Sequence, residues 1–261
     1  MNILDQINEN KRREVAEAKE KVSMDDLKAS PYFERPVNSL KAALLANKAS
    51  GIIAEFKTQS PSKGTINENA EASEVTAGYV SAGASALSVL TDERFFGGSI
   101  EDLAKARWAN PSTPILRKDF IIDIYQVYET KAHGADVMLL IAESLDKQLL
   151  LELTQTAKQI GLEVLVEIHG AEELDKLNPL IDLVGVNNRN LKTFEVDVNT
   201  SIRLGDLIPE SFVKISESGI SDPQSIQALR DANFKGFLIG ETFMKTDKPA
   251  KALEEFIASI K

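Results

Sequence analysis

The chain has no cysteine, one tryptophan and only two histidines. Without cysteine it can form no disulfide framework, no zinc–thiolate centre and no cysteine nucleophile. The histidines, His133 and His169, are too far apart in sequence to suggest a metal motif. We expect His133 to be structural and His169 to face solvent. No apolar run is long enough to cross a bilayer, and the first residues lack a secretory signal pattern. These absences predict a cytoplasmic protein that requires no metal and no cofactor.

The chain also has fewer basic than acidic residues. Asp and Glu number 40 against 30 Lys and Arg, so the net charge is −10. This balance disfavours non-specific binding to nucleic acid and to anionic membranes. The chain of 261 residues is 43% hydrophobic, which is enough for one large core and falls in the size range of a single α/β barrel.

From Gly51 onwards, short apolar runs alternate with amphipathic helices. The predicted strands are Ile52–Phe56, Ala86–Leu90, Pro114–Leu116, Val137–Ile141, Glu163–Val166, Leu183–Val186, Val213–Ile215 and Phe237–Ile239. Eight consecutive strand–helix units predict an α/β fold, a (β/α)₈ TIM barrel, as a single domain over residues 1–261. An open doubly wound sheet is the alternative. It is disfavoured because no Gly-x-Gly-x-x-Gly turn follows the first strand.

The first 50 residues are predicted to be a helical extension packed on the barrel. Residues 2–22 read as one amphipathic helix, with Ile3, Ile7 and Val15 near one face. Ser23 is a plausible cap for a second short helix, and Asn38 or Ser39 for a third. Because a barrel can close without this segment, we expect the first helix to lie over the catalytic mouth and exclude water.

Polar residues follow every predicted strand at its carboxyl end, where parallel barrels carry out chemistry. The third strand leads into Lys118, Asp119 and Phe120, and we expect Asp119 to orient the Lys118 ammonium and keep it charged. Charged or amide groups also follow the other strands, including Glu55, Lys57, Asp92, Glu143, Glu167, Asn187, Arg189, Glu217 and Glu241. Because eight strand ends converge on one mouth, the sequence predicts a polar ring there.

Two glycines follow the last two strands, Gly219 after the seventh and Gly240 after the eighth. Loops at these places commonly bind phosphate through backbone N–H groups and the start of a short helix. Glycine allows the backbone to approach the anion closely. The pair therefore predicts a phosphate site, although each glycine alone could be an ordinary turn residue.

Six segments carry a family resemblance. They are AEFKTQSPSKG, ILRKDFI, VEIH, GVNNRNL, SESGI and LIGETFMK, in this order over essentially the whole chain. With the helical N-terminus, they resemble indole-3-glycerol-phosphate synthase of tryptophan biosynthesis in its stand-alone form. The resemblance implies a carboxy-lyase that closes the phosphosugar 1-(2-carboxyphenylamino)-1-deoxyribulose 5-phosphate to indole-3-glycerol phosphate, with loss of CO₂ and water. It also implies a monomer that associates at most weakly with other enzymes of that pathway.

The same resemblance assigns roles by position. Lys118 would be the general acid on the sugar carbonyl and Glu167 the general base, with Glu55, Lys57 and Asn187 completing the polar centre. The implied substrate-binding residues are Ser60, Ser218, Gly219, Gly240 and Glu241 near the phosphate, Arg189 and Glu217 in the polar mouth, and Phe96, Phe120, Leu139 and Leu191 around the aromatic ring. Lys63 could bind phosphate or be a solvated loop charge.

Two positions depart from the family pattern. Thr58 and Gln59 precede the SPS segment, where a basic or small residue is common, and Glu143 adds a carboxylate after the fourth strand. Neither touches the implied acid and base, but Glu143 could alter local pKa values.

Two other functions remain open from the residues alone. A Schiff-base aldolase would use a desolvated lysine as nucleophile, and Lys118 could serve, although a charged ammonium favours an acid. A non-catalytic phosphosugar-binding barrel would keep the phosphate glycines and lose the acid or the base, whereas this chain has both.

Overall fold

Eight parallel strands form a closed barrel in the computed structural model, which describes residues 3–190 and 193–260. Each strand pairs with its neighbours in chain order, and the eighth pairs with the first. The strands β1–β8 are Ile52–Phe56, Ala86–Leu90, Ile115–Lys118, Val137–Ile141, Glu163–Ile168, Leu183–Asn187, Val213–Glu217 and Phe234–Ile239. The closed order confirms the predicted (β/α)₈ barrel and rules out the open sheet.

Several strands extend further than the sequence predicts, and the extensions carry the charged residues. β3 continues through Lys118, β5 through Glu167 and β7 through Glu217. The ladder can continue because its hydrogen bonds are made by the backbone, whatever the side chain. These three side chains therefore project from rigid strands rather than from mobile loops, which favours a defined site geometry.

The helices pack around the barrel. They are α1 Ile3–Lys21, α2 Met24–Lys28, α3 Leu40–Leu45, α4 Ala72–Ser81, α5 Glu93–Phe96, α6 Ile100–Ala109, α7 Ile124–Ala132, α8 Lys147–Gln159, α9 Asn199–Gly205, α10 Pro223–Asp231, α11 Glu241–Met244 and α12 Pro249–Ser259. Many begin at a Ser or Asp whose side chain accepts a hydrogen bond from the first turn, as Ser39 does for α3. After β5 the chain forms a 3₁₀ helix, Ala171–Lys176, in place of an α-helix. After β1, Gln59–Ser60 pairs with Gly64–Thr65 in a short hairpin.

The barrel interior is packed at its amino end. Leu116, Leu165 and Ile215 belong to a buried apolar cluster that also contains Leu40 and Leu44 of α3. The α3 helix is therefore part of the barrel's core and closes its lower end. Glu163, the first residue of β5, anchors it by accepting hydrogen bonds from the backbone N–H of Leu40 at 2.8 Å. That N–H lies in the first helical turn and has no partner inside the helix.

The α1 helix lies at the other end, over the mouth, as expected. Ile3, Leu4 and Ile7 line the cavity there. Lys11 of the same helix is buried, and its ammonium lies 3.0 Å from the carboxylate of Asp92 and 2.9 Å from that of Asp119. Residue 2, the expected start of this helix, falls outside the described residues. None of the helices among residues 3–190 and 193–260 is long and apolar enough to span a membrane.

Candidate active site

A cavity of about 640 Å³ opens at the carboxyl ends of the strands, under α1. The catalytic and substrate-binding residues that the resemblance assigns line it wherever they fall within the described ranges: Glu55, Lys57, Ser60, Phe96, Lys118, Phe120, Leu139, Glu167, Asn187, Arg189, Glu217, Ser218, Gly219, Gly240 and Glu241. Asp92 and Glu143, which the sequence also places in the polar ring, do not line it: Asp92 pairs with Lys11, and Glu143 lines a neighbouring cavity. Leu191 lies outside the described residues.

Lys118 lies between two carboxylates contributed by other strands. Its Nζ is 2.6 Å from Oε2 of Glu167 on β5 and 2.6 Å from Oε2 of Glu217 on β7. Burial alone would lower the pKa of Lys118, but the charges of Glu167, Glu217 and Glu55 outweigh it and raise this pKa well above its usual range. The ammonium therefore stays charged, which suits a proton donor and disfavours a Schiff-base nucleophile.

The expectation that Asp119 orients Lys118 is wrong. Asp119 accepts from Thr91 at 2.6 Å and forms ion pairs with Arg117 and Lys11 instead. Successive residues at a strand end point to opposite faces, so Lys118 enters the mouth while Asp119 turns toward the neighbouring elements. Burial would raise the pKa of Asp119, but its cationic neighbours, Lys11 first, hold this pKa below its usual range.

Glu167 and Glu217 have opposite protonation preferences although both contact Lys118. Burial raises the pKa of Glu217 to about 8, and the charge of Glu167 adds to the shift, against a lowering effect of Lys118. Burial acts on Glu167 too, but Lys118, His169 and a hydrogen bond from Asn187 keep its pKa below its usual range. One carboxylate is thus held ionised beside a partner that favours its neutral form, which is the arrangement used for acid and base steps at one pH.

The second lysine of the polar centre is paired on β1. Lys57 Nζ lies 2.9 Å from Oε1 of Glu55. The Glu55 carboxylate in turn lies against the backbone of Gly240, where an added Cβ would come within 2.5 Å of the same oxygen. Asn187 of β6 donates to Oε1 of Glu167 at 2.9 Å and so fixes this carboxylate from the other side.

The loops after β7 and β8, where the sequence predicts a phosphate site, lie together at one end of the cavity. Ser218 and Gly219 both have left-handed backbones, with φ of 67° and 73°. For Ser218 this is a sparsely populated conformation of the kind found at ligand-binding turns. Gly219 also has no room for a side chain, since a Cβ would meet Val196 at 2.1 Å. Next to them, α11 begins at Glu241, and the N–H groups of Glu241 and Thr242 precede the first hydrogen bond of the helix, which the N–H of Phe243 donates to the carbonyl of Gly240 at 3.0 Å.

Other polar groups lie in the cavity with the loops after β7 and β8. Ser60 has a buried hydroxyl that makes no hydrogen bond among the described residues, so it is available to a ligand. Lys63 and Lys245 also line the cavity. Lys63 is half-exposed, and its Nζ lies 3.7 Å from a carboxylate oxygen of Glu241. Thr58, the departure noted in the sequence, donates to the carbonyl of Gly97 at 2.8 Å and so ties this loop to the end of α5.

The opposite wall is apolar and aromatic. The rings of Phe96 and Phe120 lie 5.9 Å apart at an angle of 35°. Leu139 completes this side, and Leu4 and Ile7 of α1 cover it. Such a wall can hold a planar aromatic group through apolar contact and tilted ring packing.

Three features of the site were not predicted from the sequence. No sequence pattern indicates that Lys11 reaches two aspartates more than 80 positions away. None indicates that Lys245 lines the cavity with the loops after β7 and β8. The expectation that His169 faces solvent is wrong: its side chain is only 12% exposed, and its Nε2 lies 3.3 Å from Oε1 of Glu167. The spacing of two residues from Glu167, at a strand end, was the available signal.

Among the described residues, Glu143, His169 and Glu173 place nitrogen and oxygen atoms within 4.8 Å of one another. Glu173 already accepts hydrogen bonds from the backbone N–H groups of His169, at 2.6 Å, and Gly170, at 3.4 Å. The carboxylate of Glu173 is therefore already engaged by the backbone, and we assign no ion to this cluster.

Comparison with known proteins identifies the family. The family model described as indole-3-glycerol phosphate synthase matches residues 4–256. The chain belongs to the indole-3-glycerol phosphate synthase family. Proteins of that name from Bacteroides thetaiotaomicron and Burkholderia vietnamiensis are 52% and 44% identical to it, over 99% and 96% of this chain and 98% and 97% of theirs. This chain is accordingly an enzyme, a carboxy-lyase of tryptophan biosynthesis.

More distant solved structures share the barrel. A 3-hexulose-6-phosphate synthase from Salmonella typhimurium superposes with a TM-score of 0.63 at 13% identity, covering 81% of this chain and 100% of that one. The tryptophan synthase alpha subunit from Legionella pneumophila gives a TM-score of 0.60 at 13% identity, covering 86% of this chain and 97% of that one. At such identity the likeness concerns the fold alone.

Proposed function

We propose that this member of the indole-3-glycerol phosphate synthase family converts 1-(2-carboxyphenylamino)-1-deoxyribulose 5-phosphate into indole-3-glycerol phosphate, CO₂ and water. The observation that carries the proposal is the position of Lys118, a charged ammonium held between Glu167 and Glu217 inside a cavity with an aromatic wall at one side and the loops after β7 and β8 at the other. The aromatic ring of the substrate would contact the wall, its ketone would face Lys118, and its phosphate would reach the loops.

Ring closure uses Lys118. The ring carbon that bears the carboxylate attacks the ketone carbon, and the carbonyl oxygen takes up a proton as the new bond forms. Lys118 delivers that proton and stabilises the developing alkoxide, since its ammonium is fixed by two strands before the substrate arrives. Phe96 and Phe120 hold the aromatic ring against the ketone and so supply orientation.

Loss of CO₂ follows because the closed ring carries an iminium, into which the electrons of the breaking carbon–carbon bond flow. Dehydration then needs a base for a proton and an acid for the departing hydroxide. Glu167, whose pKa is held low, supplies the base. Lys57, paired with Glu55 on β1, is the second cation in the mouth and supplies the acid.

The phosphate is bound by the loops after β7 and β8. We assign Ser218, Gly219, Gly240 and Glu241 to this grip through their backbone N–H groups, with the unpaired hydroxyl of Ser60 opposite. The net charge of −10 opposes an anionic substrate at long range. Cations inside the mouth must outweigh it, and Arg189 and Lys245 join the two lysines of the centre there.

The test is direct. Purified protein should turn the carboxyphenylamino substrate into indole-3-glycerol phosphate, detected by its ultraviolet absorbance and fluorescence. Borohydride added during turnover should trap no covalent adduct, because the reaction needs no Schiff base. An inactive but substrate-binding protein would favour a non-catalytic barrel, and a trapped lysine adduct would favour an aldolase.

We also propose that the enzyme works as a monomer in the cytoplasm, with at most weak association with other enzymes of tryptophan biosynthesis. The support is that residues of one chain supply the acid, the base, the phosphate loops and the covering helix. Sedimentation at working concentration would test the monomer.

A further inference from the structure

Glu167 is held through both of its oxygens. Oε2 contacts the ammonium of Lys118 at 2.6 Å, and Oε1 accepts a hydrogen bond from Asn187 at 2.9 Å. Oε1 is also approached by Nε2 of His169 at 3.3 Å. Because His169 follows Glu167 by two residues at the end of β5, both side chains leave the strand on the same side.

The imidazole of His169 is held in place from its own side. Glu173 fixes the backbone of His169 through the 2.6 Å hydrogen bond to its N–H. The carboxylate of Glu143, on the turn after β4, lies 3.9 Å from Nδ1. His169 lines a second cavity beside the first and does not line the proposed substrate cavity. Its ring can therefore act on the reaction only through Glu167.

Both ring nitrogens are buried and make no hydrogen bond among the described residues. Buried polar atoms without partners are uncommon and costly, so such an atom requires an explanation. Hydrogen bonds at catalytic sites are often misaligned until the substrate complex forms. Nε2 already lies at the distance from which a hydrogen bond to Glu167 can form.

We propose that His169 is a positioning residue of the dehydration step, with its Nε2–H donating to Oε1 of Glu167 and fixing the base while Lys118 is occupied with the substrate oxygen. The inference rests on the proposed function. When Lys118 turns to the substrate, Glu167 loses its strongest partner. His169 and Asn187 then keep the carboxylate oriented and favour its ionised form.

The charged surroundings set the sign of the pH effect. The imidazole faces Glu167 on its own strand, Glu143 after β4 and Glu173 in the following 3₁₀ helix. Lys176 of that helix is engaged with the carbonyls of Ala142 and Leu145, at 2.7 and 2.9 Å. Lys118 and, after it, His169 lower the pKa of Glu167 against the effect of burial. Replacing the imidazole by a neutral side chain should raise this pKa, so the acid limb of the pH–rate profile should move to higher pH.

Two substitutions separate the hydrogen bond from the imidazole itself. His169→Leu removes both, whereas His169→Gln removes the titratable ring and keeps an amide N–H donor. We expect His169→Leu to lower kcat by roughly 10- to 100-fold, the cost of a misplaced catalytic group. His169→Gln should stay within about fivefold of wild-type kcat, because its amide can still donate to Glu167 and any loss is smaller than that of a whole hydrogen bond. Both variants should shift the acid limb upward, with KM and product Kd within about twofold, because neither changes the substrate cavity.

The matched control is the other histidine. His133 caps the end of α7, away from the proposed substrate cavity, and its Nδ1 lies 2.9 Å from the carbonyl oxygen of Glu129, so His133→Gln should retain the wild-type profile. An unshifted acid limb in His169→Gln would overturn the inference even if His169→Leu failed to fold. Equal losses in both variants with an unshifted limb would assign His169 a structural role and overturn it too.

The outcome can be separated from the proposed function. A wild-type protein that forms no indole-3-glycerol phosphate would refute the function, whereas an active wild type with unaffected His169 variants would refute only the inference. A carbon-13 titration of the Glu167 carboxyl by NMR needs no turnover. It should show the same upward shift in His169→Gln, and an unmoved midpoint would again count against the inference.

Discussion

Lys118→Met is the substitution with the sharpest expected outcome. It keeps the length and apolar stem of the side chain and removes the proton and the charge. The acid role alone is worth ~10²–10⁴ in rate. The ammonium also stabilises the alkoxide, and removing one such oxyanion donor typically lowers the rate by ~10²–10³. The pKa of Glu167 should rise as well, because Lys118 is the foremost cause of its lowering. These losses overlap, so we expect kcat to fall at least ~10³-fold.

Binding should change much less than turnover in this variant. The phosphate loops follow β7 and β8, and the aromatic wall comes from Phe96 and Phe120, so neither depends on Lys118. Glu217 already favours its neutral form, and only Glu167 is left as an uncompensated charge. Product Kd, measured by fluorescence titration, should therefore stay within about tenfold of wild type.

The matched control is Lys235→Met, which removes an exposed lysine near the amino end of β8 and should leave kcat unchanged. Steady-state assays by indole fluorescence on the wild type and both variants supply the comparison. A Lys118→Met enzyme that kept more than about a tenth of wild-type kcat would refute the reasoning, because a general acid is worth far more than that. Lys57 would then become the candidate acid.

Four further outcomes are expected. Lys11→Met leaves two buried aspartates without their shared cation. It should lower the free energy of unfolding, measured by urea denaturation, by about 3–5 kcal/mol. The control Lys21→Met removes an exposed lysine and should lower it by about 0.5 kcal/mol or less. Deleting residues 1–22 should raise KM and lower kcat while circular dichroism still shows a barrel; unchanged kinetics or complete unfolding would contradict this. Because Glu217 binds its proton more tightly in the folded state, the stability it contributes is lost as the pH rises from 4.5, its ordinary pKa, to about 8. Glu217→Gln should therefore make the melting temperature less dependent on pH over this range. An equally steep profile would argue against the raised pKa. Activity should survive dialysis against EDTA, and a loss restored by magnesium or zinc would show a metal requirement.

The barrel was predictable because strand and helix periods alternate without interruption. The core strands, such as β4 Val137–Ile141, are apolar on both faces, which only a sheet covered on both sides can accommodate. The convergence of the strand ends follows from closure, so the sequence alone places Lys118, Glu167 and Glu217 in one mouth.

Partners across the barrel could not be predicted in the same way. Alternation along a strand tells which face a side chain takes, but it does not say which distant residue lies opposite. Asp119 was therefore assigned to its sequence neighbour Lys118, whereas its cations are Arg117 and Lys11. Glu163 reads as an ordinary strand residue, and its hydrogen bond to Leu40 depends on a contact 123 positions away.

The contact between Glu55 and Gly240 has a consequence for how this enzyme could diversify. The carboxylate that pairs with Lys57 occupies the volume that any side chain at position 240 would need. A larger residue in the eighth loop would push Glu55 and shift the second lysine of the centre. The proposed phosphate loop at Gly240 and the Glu55–Lys57 pair therefore cannot change independently. A related barrel that takes a substrate without phosphate would need coupled changes in both parts of the site.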